Sequence, residues 1–113
     1  MTDNTQNKTE TIRRLNDHFR RTFEGGRVMV TAGVDALGHA QVRRLLGLVR
    51  TFDNFDAAND PHGEHDFGAI DYDGERYFWK IDYYSRDLQS GSEDPADPSK
   101  TVRVLTVLRA DEY

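Results

Sequence analysis

Apolar positions along the chain repeat with two different periods. Ile12, Leu15, Phe19 and Phe23 are spaced three, four and four, one apolar stripe that predicts a helix over residues 8–23. Asn7 would cap its start, with Glu10 at the reciprocal capping position, and Gly25-Gly26 would stop it. RVMVT at 27–31 is a β-branched run and predicts a short strand. Val42, Leu45, Leu46, Val49 and Phe52 predict a second helix over about 39–51, although Gly47 inside it costs up to ~1 kcal/mol.

The period changes to two in FGAIDYDGERYFWKIDYY, residues 67–84, which reads as two strands around Asp73-Gly74. That pair is favoured in a two-residue type I′ hairpin turn, and such a turn sets the register. Residue 72 then faces 75, 70 faces 77, 68 faces 79 and 66 faces 81. Ile70, Tyr72, Tyr77, Trp79, Ile81 and Tyr83 share a core face, with Gly68 opposite Trp79 leaving room for the indole. His65, Phe67, Ala69, Asp71, Arg76, Phe78, Lys80, Asp82 and Tyr84 share the other, a mixed and partly exposed face. Extended two residues further, the pairing would set His65 directly across from Asp82, with Lys80 and Tyr84 on either side.

Residues 85–100, SRDLQSGSEDPADPSK, have no periodicity and two Asp-Pro pairs. Connections are mostly ~4–6 residues, so a segment this long is expected to be functional or disordered. TVRVLTVLR at 101–109 is apolar on both alternating faces, which predicts a central strand. The element order is α-β-α-β-β-β. The expected fold class is α+β: two layers, an antiparallel sheet of about four strands, and two helices packed on one face. Residues 1–6 are expected to be frayed and 7–113 to form a single α+β domain.

Charge changes this picture more than composition does. The 113 residues carry a net charge of −5, unevenly placed: residues 1–50 hold nine Lys/Arg and five Asp/Glu, whereas 51–113 hold six and fifteen. An acidic half disfavours wrapping nucleic acid over the whole surface and suits a partner with a basic surface. Seven arginines in the two predicted helices (Arg13, Arg14, Arg20, Arg21, Arg43, Arg44 and Arg50) form a rival, DNA-binding reading if both helices present them on one side. Cysteine is absent, which removes disulfides and thiolate chemistry and fits a reducing compartment. No apolar run approaches the ~18 residues of a membrane span, and MTDNTQNKTE has no apolar leader core, so a cytoplasmic protein is expected.

The densest candidate chemistry is NDPHGEHDFG, residues 59–68. His62, Glu64, His65 and Asp66 are competent ligands for zinc or manganese, but two histidines three apart in a Gly/Pro loop are not the i, i+4 helical pair of a zinc protease. His65 and Asp82 beside Lys80 would orient an imidazole as a general base, and with His62 and Glu64 they outline a small metal-dependent hydrolase or nuclease. No serine nucleophile and no glycine-rich phosphate cradle accompany them. The same residues also suit an ordered turn, in which Asn59 and Asp60 bond backbone amides. No cofactor is indicated.

LNDHFR (15–20), NDPHGEHDFG (59–68), FWKIDYY (78–84) and GSEDPADPSKTVRVLTVLRADEY (91–113) together resemble a family of short bacterial proteins catalogued as a domain of unknown function. The resemblance implies a setting on plasmids and other mobile elements, where small acidic proteins often act as accessory factors or as inhibitors of host defence. It transfers no catalytic residue. The sequence therefore favours a non-enzymatic binding protein over an enzyme. Phe78, Tyr84 and Lys80 are the expected contact residues, and Asp87, Glu93, Asp94 and Asp97 would attract the partner's basic surface.

Overall fold

The computed structural model describes residues 4–113. Its helices are α1 (Asn4–Thr22), α2 (Ala32–Asp35) and α3 (His39–Arg50). Its strands are β1 (Gly26–Val30), β2 (Phe67–Tyr72), β3 (Glu75–Tyr84) and β4 (Val102–Arg109). The expected frayed segment lies partly outside the described residues; within them, α1 already begins at Asn4. Asn7 therefore sits inside the helix rather than at its cap, and its carbonyl accepts a bond from Thr11 Oγ1 at 2.9 Å. The helix ends at Thr22, before the glycines: Phe23 takes a φ of 61° and its N–H closes on the Phe19 carbonyl at 2.6 Å.

The hairpin follows its turn chemistry. Asp73 and Gly74 have φ of 50° and 80°, the two positive values of a type I′ turn, and Gly68 pairs with Trp79, Ile70 with Tyr77 and Tyr72 with Glu75. A Cβ at residue 68 would collide with Trp79 Nε1 and lie 2.7 Å from Phe52 Cζ, so only glycine lets the indole and Phe52 close over this strand.

The sheet order is β1-β4-β3-β2, with β4 central as expected. The sheet is mixed rather than antiparallel, because β1 pairs with β4 in parallel. No turn joins those two strands; they come from opposite ends of the chain, and local turn chemistry does not set their direction. The helix count also differs: VTAGVD carries the short α2, whose Val34 is fully buried. Four residues are too few to register as a periodic stripe.

The core lies between the helices and one sheet face. Phe19, Val34, Leu45 and Val49 pack on Tyr77, Trp79, Ile81, Leu105 and Val107. Phe52 and Phe55 meet the Trp79 ring edge-on at 5.4 and 6.0 Å. Among the described residues no α-helix packs on the opposite sheet face, where Tyr113, after the terminal 3-10 turn, meets Phe67 and Phe78. Glu112, in a terminal 3-10 turn, closes one end of the domain: it accepts bonds from Thr31 Oγ1 at 2.7 Å and from the Gly33 and Arg109 amides at 3.0 and 2.8 Å.

Candidate functional site

The histidine-rich loop is a clamp on α1. His65 has a φ of 55°, which ends the β2 extension one residue before the strand pairing would bring it opposite Asp82. Pairing survives only as far as the Ile81 amide, which donates to the Asp66 carbonyl at 2.8 Å. The imidazole turns to the helix side instead, where Nδ1 donates to Asp17 Oδ1 at 2.9 Å and the ring stacks on Phe55 at 3.8 Å. Asp82 pairs along its own strand with Lys80 at 3.1 Å. The expected His65–Asp82 pair is thus not formed, and the His65, Asp82 and Lys80 constellation of a hydrolase is not assembled.

The alternative set of metal ligands, His62, Glu64, His65 and Asp66, is not gathered either. His62 is exposed, Glu64 Oε1 accepts from the Tyr83 hydroxyl at 2.8 Å, and His65 faces Asp17. Among the described residues, no three His, Asp or Glu side chains form a group able to hold a metal ion. Asp66 is pushed above the usual carboxylate range by burial and by the neighbouring Glu64. The turn reading does hold. Asp60 is buried and accepts from the His65 amide at 3.1 Å, while Asn59 accepts from the Asp56 amide at 3.0 Å and donates to the Asn54 carbonyl at 2.8 Å.

The loop is held by polar residues of α1. Arg13 donates to the Gly63 carbonyl at 2.9 Å. Asn16 is fully buried: its Nδ2 donates to the Glu64 carbonyl at 3.0 Å and to the Tyr83 hydroxyl at 2.7 Å, and its Oδ1 accepts from Arg103 Nε at 2.7 Å. The buried Arg103 also donates to the Pro95 carbonyl at 2.5 Å and lies over the Tyr83 ring, tying the loop at 85–100 into the same network. Arg20 is buried between the Phe55 and Trp79 rings and bonds Asp17 at 2.9 Å. Asn16 and Arg103 were accessible to the pattern itself. Asn16 falls on the face of Ile12 and Phe19, and Arg103 shares its parity with the inward Leu105 and Val107.

What remains open is the other sheet face. Strand alternation sends Met29 of β1, Val104, Thr106 and Leu108 of β4, and Lys80, Asp82 and Tyr84 of β3 to this side. They line a shallow groove of ≈ 550 Å³ together with Arg27, Thr31 and Leu88. Val104 and Leu108 form its buried floor, and Met29 (55% exposed), Tyr84 and Leu88 stand up around it. Leu88 is brought there by a tight turn in which Ser85 and Ser90 bond each other's backbones and Leu88 takes a φ of 62°.

Of the expected contact residues, Tyr84 and Lys80 line this groove. Phe78 lies at its end, packed against Phe67 at 5.2 Å and Tyr113 at 5.5 Å. The acidic residues sit in the ordered loop at 85–100. Asp87 and Asp97 are held below the usual carboxylate range, chiefly by bonds from the Ser85 and Ser99 hydroxyls. Asp94 caps the Ala96 amide and Glu93 pairs with Lys100 at 3.5 Å. Sequence pattern alone did not join Met29 and Leu88 to this surface, because Met29 arrives through the parallel β1–β4 pairing and Leu88 through the turn at 85–90.

Among the described residues no helix is long and apolar enough to cross a membrane. A family described as "Protein of unknown function (DUF3768)" matches residues 30–112, from the end of β1 through the terminal turn. No curated protein and no solved structure matches the chain.

Proposed function

The chain belongs to that family of unknown function, and on this premise we propose that it is a non-enzymatic binding protein acting by protein–protein contact through the open face of its sheet. One observation carries the reading. The helices pack on a single sheet face, leaving Met29, Tyr84 and Leu88 standing around the buried floor of Val104 and Leu108 on the other. An apolar groove rimmed by charge is the usual composition of a contact site, with aromatic and methionine anchors at its centre.

The partner in this reading is a protein with a basic surface, of the kind that handles nucleic acid. Asp82, in the groove, and Glu93 and Asp94 each pair with a lysine, whereas Asp87 and Asp97 of the loop after β3 make no ion pair among the described residues and are the carboxylates left to attract it. Asp87 and Asp97, held ionised by the Ser85 and Ser99 hydroxyls, keep their long-range attraction across neutral pH. The protein would then serve as an accessory factor or inhibitor in the mobile-element setting implied by the family resemblance.

Capture from host cytosol with wild type, Met29→Asp and Leu48→Asp as baits tests this. Leu48 is 40% exposed on α3, away from the sheet. The expected result is a basic protein retained by wild type and Leu48→Asp and lost by Met29→Asp. Equal retention by all three baits would reject the open face as the contact surface.

A further inference from the structure

The helix layer carries a second surface, independent of the groove. Arg14 and Arg21 of α1 and Arg43, Arg44 and Arg50 of α3 are all exposed. Among the described residues none of the five makes an ion pair. All three lysines do, with Asp94, Asp82 and Glu93, and so do Arg20, Arg76 and Arg109. Arg27, Arg86 and Arg103, outside the helices, also make no ion pair among the described residues, but the largest gathering of unpaired exposed guanidiniums is on α1 and α3. No acidic residue occurs in α3, and Asp17, one of two in the described part of α1, is turned inward to His65 and Arg20.

Arg14 and Arg21 stand on the exposed side of α1, Arg43, Arg44 and Arg50 on that of α3, and the two helices meet at their ends. Arg50 Nε donates to the Arg21 carbonyl at 2.9 Å, which brings the C-terminal ends of α1 and α3 together. A shallow groove of ≈ 480 Å³ runs between them, lined by Arg21, Gly47, Arg50 and Thr51. Arg43 lies four residues before Gly47 and Arg50 three after it, so they form one stripe, and Arg14 lies two turns before Arg21 on α1. Each pair spans about 10 Å at 1.5 Å rise per residue. A Cβ at Gly47 would meet nothing within 4 Å, so the groove floor is bare backbone open to close approach. The two helix C-termini contribute about −0.5 charge each, which the five guanidiniums outweigh.

We propose that this face binds the phosphate backbone of duplex nucleic acid without reading its sequence. Guanidiniums match phosphate geometry in a planar fork, and uncompensated arginines on a pair of helices are suited to bridging successive phosphates. The exposed residues of α3 include no Phe, Tyr or Trp, so the face offers little of the stacking platform that single strands use.

The test is fluorescence anisotropy with a labelled random DNA duplex of about 20 base pairs, titrated at salt between about 50 and 200 mM. With four arginines engaged, and a slope of ~0.9 per phosphate, wild-type affinity should fall by about 10²-fold over that range. Arg43→Gln/Arg44→Gln should bind more weakly and lose only about 10-fold, its slope reduced by ~1.8. Should that variant fail to match the wild-type melting profile, Arg14→Gln/Arg21→Gln replaces it with the same expectation. Met29→Asp should bind DNA like wild type, separating this surface from the groove. No binding at the lowest salt, or a slope unchanged by the glutamines, overturns the proposal. So does equal affinity for poly-L-glutamate, which would mark an acidic protein as partner, or tighter binding of the single strand.

Discussion

The Asp17 carboxylate meets the His65 imidazole at 2.9 Å across 48 residues of sequence, and the same oxygen takes Arg20 at 2.9 Å. One side chain of α1 thereby fastens the loop at 59–68 and neutralises a guanidinium buried between two aromatic rings. Asp17→Ala should cost about 2–3 kcal/mol, below the ~3–5 of a fully buried pair because Asp17 keeps some solvent exposure. Urea unfolding measures it; a loss under ~0.5 kcal/mol would place the clamp outside the stability of the fold.

The same carboxylate gives stability a pH dependence. Burial pushes the Asp17 pKa up, but hydrogen bonds from His65 and Arg20 and their charges outweigh it and hold it below the usual carboxylate range. A carboxyl lowered in the folded state contributes stability above its unfolded value of ~3.9 and loses it as pH falls through the lower folded value. Asp66 has the opposite sign: raised by burial, it costs stability at neutral pH and regains it on acidification. Asp17→Asn should therefore flatten the fall in urea midpoint below pH ~4, and Asp66→Asn should leave neutral-pH stability equal or higher.

Gly68→Ala tests the hairpin's fit under the helix layer. The new methyl would strike the Trp79 indole and Phe52, both anchored in the core. Overpacking of this kind costs about 1–3 kcal/mol, and Trp79 fluorescence should shift as the indole is displaced. An alanine tolerated without loss of stability would mean that β2 can move away from the core.

Arg103→Leu should loosen the loop at 85–100 more than the sheet. It leaves Asn16 Oδ1 and the Pro95 carbonyl without their donor, at a cost of about 2 kcal/mol. Limited proteolysis should cut within residues 91–100 before any site in β4. Cleavage rates equal to wild type would show that the loop's own serine and aspartate bonds suffice to hold it.

Met29→Asp should change folding stability by no more than about 0.5 kcal/mol, since its side chain stands in solvent. Its effect belongs to partner capture alone, so thermal melting paired with capture separates a contact residue from a structural one.

Periodicity and turn chemistry alone determined much of this protein. The stripes of α1 and α3, the Asp73-Gly74 hairpin with its register, the inward Trp79 and the central position of β4 are local consequences of 3.6- and 2-residue repeats and of positive φ at two turn residues. Tertiary structure decided what those repeats do not encode. One left-handed residue, His65, sent an imidazole to Asp17 instead of Asp82, because a single positive φ redirects a strand that alternation alone would continue. The parallel contact of β1 with β4, made between distant segments with no turn to announce it, set Met29 beside Thr106 on the sheet face opposite the helices.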